Sequence, residues 1–270
     1  MTEVHWLEQT EPVVPASNDW LSANEAACVS RLRFAKRRAD WRLGRWTAKR
    51  ALTAHLGLST DSRALADLEI RSAPSGAPEA FLANRPAGVA ISLSHCAGTA
   101  LCFLAPSGTA LGCDLEMIEP RSDAFLADYF TPEEQELVAR APAADRPWLL
   151  AVLWSGKESA LKALRMGLRL DTRGVIVNLG EVMPSSREAQ ESPMVHAVFT
   201  FQQIAKRKSW SPLQVRYAGN QVFHGWWRKL GSLVSTLVAD PSPSLPTLLT
   251  DRPDCVRENT LKDGTYGRPA

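Results

Sequence analysis

The chain has 270 residues, enough for one large domain or two small ones with a real core. Apolar residues make up 45% and charged residues 22%, an ordinary soluble balance; a net charge of +2 gives no overall field for nucleic acid or membrane, so any basic site has to be local. Cys28, Cys96, Cys102, Cys113 and Cys255 form no Cys-x-x-Cys pair and no zinc spacing, which favours a reducing cytoplasm. The mixed, acidic start Met1 to Thr10 is no signal-peptide pattern, and no run approaches the ~18 apolar residues of a membrane span.

Residues 1–21, with Pro12 and Pro15, read as an irregular lead-in. Ser22-Ala23-Asn24-Glu25 is a capping-box pattern that starts a helix at Ala23. A second helix runs from about Lys36 to Leu56 and ends at Gly57. On it Arg38, Arg42, Arg45 and Lys49 recur at i, i+4, i+7 and i+11 as one basic stripe. Like charges so spaced repel, so the stripe is either a solvated face or a seat for an anion. Gly44 in mid-helix points to a close approach to the backbone there.

Leu65–Arg71 reads as a short strand and Ser72–Pro78 as a loop. Gly88–Ser94, Thr99–Ala105 and Ala110–Glu116 read as an antiparallel meander, with His95 closing its first strand and Pro106-Ser107-Gly108 as a turn. Asp114 and Glu116 then share one face of the third strand, with Leu111, Cys113 and Leu115 on the other. Thr131-Pro132-Glu133-Glu134 caps another helix, with Pro at N1 and Glu at N3. Arg146–Met166 is a long helix closed by Gly167. Gly174–Leu179, Val195–Phe201, Leu213–Tyr217 and Ser232–Val238 are strand candidates, and Trp226 and Trp227 are packing residues beside a sheet. From Asp240 onward Pro, Ser, Asp and Thr take over, and 240–270 reads as a flexible tail.

The chemistry is concentrated in Trp154-Ser155-Gly156-Lys157-Glu158-Ser159-Ala160-Leu161-Lys162. At about 100° per residue, Glu158, Lys162 and Arg165 fall on one helix face. Taken alone, Glu158 and Lys162 are an ordinary exposed i,i+4 pair. Together with Asp114 and Glu116, Glu158 makes three carboxylates, from a strand and a helix, able to hold one hard cation such as Mg²⁺ or Mn²⁺. A metal ringed by Lys157, Lys162, Arg165, the helix stripe and His95 suits a phosphate ester or pyrophosphate. No Gly-rich phosphate loop or kinase motif is present.

The sequence resembles the 4′-phosphopantetheinyl transferases of the long-form, surfactin-synthetase-activating type. Gly112-Cys113-Asp114-Leu115-Glu116 is similar to that family's G-x-D-x-E, and the helix segment to its W-x-x-K-E-x-x-x-K. Ser92-Leu93-Ser94-His95 resembles its Ser-His segment and Gly44-Arg45 its Gly-Arg. The resemblance implies an α+β fold of two similar halves related by a pseudo-twofold, residues 1–110 and 111–239, with coenzyme A in the cleft between them. It implies transfer of the phosphopantetheine arm to a serine of an acyl, polyketide or peptidyl carrier protein, releasing 3′,5′-ADP. Asp114, Glu116 and Glu158 would hold the metal; Glu158 would also activate the serine, directly or through water. Lys162 would bind the pyrophosphate. Arg38, Arg42, Arg45, Lys49, Arg71, Ser94, His95 and Lys157 are the further coenzyme A candidates. The family's Gly-Lys-Pro loop reads Gly76-Ala77-Pro78 here, leaving Arg71 or the helix stripe as substitutes for the missing lysine. A cytoplasmic monomer with no nucleic-acid or membrane partner is expected. A relative that binds coenzyme A or a carrier without chemistry, and a metal-dependent phosphoesterase, are the competing readings.

Overall fold

The computed structural model describes residues 1–179, 210–217 and 221–250. The chain opens with β1 (His5–Thr10), α1 (Ala23–Ser30), α2 (Ala35–Leu56), α3 (Ser62–Asp67), β2 (Leu68–Ser72), β3 (Pro78–Leu82), β4 (Arg85–Pro86), β5 (Val89–Cys96) and β6 (Thr99–Pro106). It continues with β7 (Ala110–Met117), α4 (Asp123–Tyr129), α5 (Pro132–Arg140), α6 (Arg146–Ala163), β8 (Val175–Asn178), β9 (Ser211–Tyr217), β10 (Gln221–Leu230), β11 (Leu233–Asp240) and β12 (Thr247–Leu248). The class is α+β, as expected: the sheets run in the orders β12-β1-β6-β5, β7-β11-β10-β9-β8 and β2-β3-β4, antiparallel throughout except where β12 joins β1.

Residue parity decides the layering. On β6, Cys102 and Leu104 pack with Ala48, Ala51 and Leu52 of α2, while Leu101, Phe103 and Ala105 pack with Leu111, Cys113 and Leu115 of β7 and Leu237 of β11. On β11, Val234 and Val238 turn the other way, into the core with α6. The order through the molecule is therefore helix, sheet, sheet, helix. Both faces of β6 and β11 are covered, so β6 reads as a continuous apolar run and β11 as one interrupted by buried Ser235 and Thr236, neither as an alternation.

The helices-then-strands order recurs in each half, and so does its fastening. Ser22 and Glu25 form the capping box of α1, and Thr131 and Glu134 that of α5. Each capping glutamate also accepts a backbone N–H from a strand, Ile70 of β2 for Glu25 and Val177 of β8 for Glu134. Each is paired with a buried lysine of the long helix, Lys49 at 2.6 Å and Lys157 at 2.7 Å.

Several expectations are corrected. Residues 5–10 form β1, inside the first sheet between β6 and β12, where a lead-in was expected. The strand expected over Leu65–Arg71 is split: Asp61 caps α3, and only Leu68 onward is extended. β7 does not continue a meander with β5 and β6; residues 110–117 form their ladder with β11. The α6 helix stops at Ala163, and Arg165 follows with a left-handed φ of 56°. Among the described residues, nothing beyond Gly44's own stretch of helix lies within 4 Å of a Cβ built on it, so no close approach of another described segment explains that glycine. Residues 240–250 are not loose: Thr247 and Leu249 donate backbone N–H groups to Val4 and Trp6, and Trp226 Nε1 donates to Ser244 O. The strand expected over Val195–Phe201 lies outside the described residues.

Candidate active site

Gly112 sets the geometry. A Cβ there would sit 1.9 Å from Ser159 O and 2.6 Å from Ala163 N, so only glycine lets the α6 backbone rest directly on β7. Small hydroxyl residues fasten the same contact: Ser155 and Ser159 each share a hydrogen bond with Thr236 Oγ1 of β11, at 2.8 and 2.6 Å. Asp114 and Glu116 lie on the β7 face that carries Gly112, and the parity expected from sequence is the one observed. The helix residues next to Ser159 therefore come down over Asp114.

Lys162 Nζ lies 2.6 Å from Asp114 Oδ1. Ser94 Oγ donates to the same oxygen at 3.0 Å, and Lys162 Nζ donates to Ser94 Oγ at 3.3 Å. Burial works against the Lys162 ammonium, but Asp114, then Cys113 and Glu158, outweigh it and its pKa ends above the ordinary lysine value. Asp114 Oδ2 is buried and has no hydrogen-bond partner among the described residues. Burial, and then the Asp114 charge, push the Glu116 carboxyl up to about 7, although Arg121 stands 3.0 Å away and Trp154 also bonds it. The same two causes raise Glu158.

The Asp114 charge thus adds to burial in raising the proton affinity of both Glu116 and Glu158 beside an orphaned oxygen. This is the electrostatics of a site short of positive charge, and an all-oxygen donor set fits Mg²⁺ or Mn²⁺. Among the described residues no three Asp, Glu, His or Cys side chains are already closed around one point. Asp114 Oδ1 meets Lys162 instead.

The basic stripe does not survive as a surface. Lys49 Nζ is fully buried, and its three protons are taken by Glu25, Trp20 O and Leu65 O. Lys157 is likewise spent on Glu134, Thr172 O and Val175 O. Neither keeps a donor for an external phosphate, so both are corrected to structural residues. Arg42 binds the carbonyls of Pro15, Ala16 and Ser17, and Arg38 those of Leu32 and Arg33. Arg45 stacks on Trp41 at 4.8 Å and lies 3.8 Å from Glu25. Arg71 lies over Phe81 and bonds Glu69 and Asn84. His95 is exposed near the end of β5; desolvation of its ring is the largest influence on its pKa, Lys162 and Lys36 add to it against Asp40, and the value is lowered.

A cleft of about 270 Å³ opens between the Ser75–Pro78 loop, β5, the start of β7 and the end of α6. Gly76, Pro78, Ile91 and Leu111 line its walls, and Lys162 and Arg165 bring positive charge to it. The sequence reading placed Lys162 and Asp114 in one site, but missed Arg121 and the Trp154 bond to Glu116. Nothing in residue spacing marks either one, because both act across a turn of the tertiary fold.

The sequence profile of the 4′-phosphopantetheinyl transferase superfamily matches residues 110–212, which contain β7, α6 and both motifs. The 4′-phosphopantetheinyl transferase HetI of Nostoc sp. is 30% identical over 174 residues, covering 62% of this chain and 70% of that protein. The chain belongs to the 4′-phosphopantetheinyl transferase superfamily. Among solved structures it also matches the holo-[acyl-carrier-protein] synthase of Thermotoga maritima, at 20% identity and a TM-score of 0.32, over 48% of this chain and 76% of that one. No described helix is long and apolar enough to cross a membrane.

Proposed function

We propose that this chain transfers the 4′-phosphopantetheine arm of coenzyme A to a serine of a carrier protein and releases 3′,5′-ADP. The observation that carries the reading is the meeting of Lys162 with Asp114 at 2.6 Å beside an unpartnered Asp114 Oδ2. It joins the two family motifs at the edge of a cleft.

In this reading Asp114, Glu116 and Glu158 hold Mg²⁺, or Mn²⁺ in its place. A cation held there would supply positive charge to offset that of the pyrophosphate. Coenzyme A occupies the cleft with its pyrophosphate toward Lys162, whose ammonium stabilises the charge that grows as the bond to the leaving phosphate breaks. Glu158 takes the serine proton, directly or through a water; a carboxylate bound to a cation has a low proton affinity, which favours the water relay or a loosely held carboxylate. His95 and Arg165 are the candidates for meeting further phosphate oxygens. The exposed Arg31, Arg33, Lys36 and Arg37 surround exposed Phe34 at the start of α2, and Lys36 acts electrostatically on His95, so an acidic acceptor protein has a basic surface to meet beside the site.

The test is mass spectrometry of an apo carrier protein incubated with coenzyme A, Mg²⁺ and this chain. One added phosphopantetheine on serine, lost with a chelator, supports the reading. Tight coenzyme A binding with no transfer to fatty-acid, polyketide or peptide carriers would replace it with a binding role.

A further inference from the structure

β5 and β7 are edge strands of two different sheets, and they are joined through side chains. Ser92 Oγ accepts Cys113 N–H at 2.9 Å, and Ser94 Oγ accepts Leu115 N–H at 3.2 Å. Two serines spaced by two on one strand thus serve two amides spaced by two on the other. Their hydroxyls stand where a neighbouring strand would offer carbonyl oxygens.

A serine hydroxyl has one proton and two lone pairs. The Ser94 proton goes to Asp114 Oδ1 at 3.0 Å. Its lone pairs face Leu115 N–H and Lys162 Nζ, at 3.2 and 3.3 Å. The side chain is buried and its bonding capacity is full. A phosphate oxygen would need the same proton, and giving it up would strip a hydrogen bond from a buried carboxylate that already has one bare oxygen.

We infer that Ser94 is a positioning residue and not a coenzyme A contact: its hydroxyl fixes Asp114 Oδ1 against Lys162 and ties β7 to β5, so that Asp114 Oδ2 alone is left for the cation. The inference deepens the transferase reading and rests on its metal assignment. It also divides the Ser94-His95 pair, since only His95 is exposed and open to a substrate phosphate.

The test compares Ser94→Ala and Ser94→Thr with the wild-type chain. Partners that orient a metal ligand typically cost 10–100-fold when removed, so Ser94→Ala should weaken Mg²⁺ binding by about tenfold in calorimetry and lower kcat by a similar factor. Amide exchange at Leu115 should accelerate, while KM for coenzyme A stays within about twofold. Ser94→Thr keeps the hydroxyl and should restore all three quantities. If Ser94→Ala does not fold, Ser92→Ala gives the parallel reading: it removes a bond to β7 without touching Asp114, so Cys113 should lose amide protection with no tenfold loss of Mg²⁺ affinity. A rise of about tenfold in KM for coenzyme A, with Mg²⁺ affinity and Leu115 exchange unchanged, would make Ser94 a phosphate contact and overturn the inference. Should the wild-type chain transfer nothing to any carrier, the function falls, but Mg²⁺ affinity and amide exchange still decide the role of Ser94.

Discussion

Lys157 Nζ lies 2.7 Å from Glu134 Oε2, with the lysine fully buried and the glutamate nearly so, and the pair joins α6 to the capping box of α5 and to β8. Lys49 and Glu25 do the same between α2, α1 and β2. Breaking a buried pair by removing one partner leaves a buried charge with nothing to meet it, at ~3–5 kcal/mol. Lys157→Ala should therefore lose about that much stability in urea unfolding. Any fall in activity should track the unfolded fraction, with KM for coenzyme A unchanged in the folded protein. A stable Lys157→Ala protein with a raised KM would return the residue to the substrate.

This pair shows where the sequence stops being legible. Lys157 and Lys162 lie five apart on one helix, about 140° around it, and the motif resemblance gives both to the active site. One is at the cleft and the other is sealed in the core, because burial depends on α5 and β8, which come from distant stretches of chain. Asp114 and Glu116 were readable because strand parity is local, and the capping boxes at Ser22 and Thr131 because they span four residues. β1 was hidden for the opposite reason. Trp6 and Leu7 are both buried, so the alternation that marks a half-exposed strand is missing.

Gly112 is tested by one methyl group. Gly112→Ala places a Cβ 1.9 Å from Ser159 O, a backbone atom that no side-chain rotation can clear. The helix has to lift, which should cost about 3 kcal/mol and carry Lys162 away from Asp114. Thermal unfolding and turnover should fall together. A variant of normal stability and activity would show that the α6–β7 contact is looser than described.

The chain end has a stabilising part. Residues 241–250 extend the first sheet: Ser244 and Thr247 donate backbone N–H groups to Thr2 and Val4, and Leu249 to Trp6. Ending the chain at Asp240 removes these bonds, each worth ~0.5–1.5 kcal/mol, and leaves one edge of β1 open to other strands. The truncated protein should melt lower and aggregate on warming, whereas a chain ending at Thr250 keeps every one of these bonds. Equal melting temperatures for the two truncations would refute the role given to this segment.

In the proposed reading, Glu116 makes cation binding depend on pH. Its carboxyl is held at about 7 in the folded chain, chiefly by burial and then by Asp114, against an ordinary value of 4.5. Between these values the folded state binds more protons than the unfolded one, so the stability of the cation-free chain falls as pH rises through that window. A cation replaces the proton, so Mg²⁺ affinity should rise with pH by up to about tenfold per unit below 7 and then level off. The Mg²⁺-induced gain in melting temperature should accordingly be small at pH 6 and larger at pH 8. A gain independent of pH across that range would remove Glu116 from the ligand set.

Lys162 has two duties of opposite sign. In the cation-free chain it is the positive charge that offsets Asp114 and acts on Glu158. In the proposed reaction it faces the pyrophosphate and stabilises charge there. Lys162→Ala removes a cation from the place proposed for Mg²⁺ and frees Asp114 Oδ1, so Mg²⁺ should bind the variant more tightly than the wild type. The same change should raise KM for coenzyme A and lower kcat, since charge on the pyrophosphate grows toward the transition state. Glu158→Gln should act the other way on the metal: it removes a ligand charge, weakens Mg²⁺ binding, and lowers kcat more than coenzyme A affinity. Calorimetry with Mg²⁺, calorimetry with coenzyme A and turnover on a carrier protein separate the two variants. Weaker Mg²⁺ binding in Lys162→Ala would show that the lysine organises the carboxylates and does not compete with the cation for them.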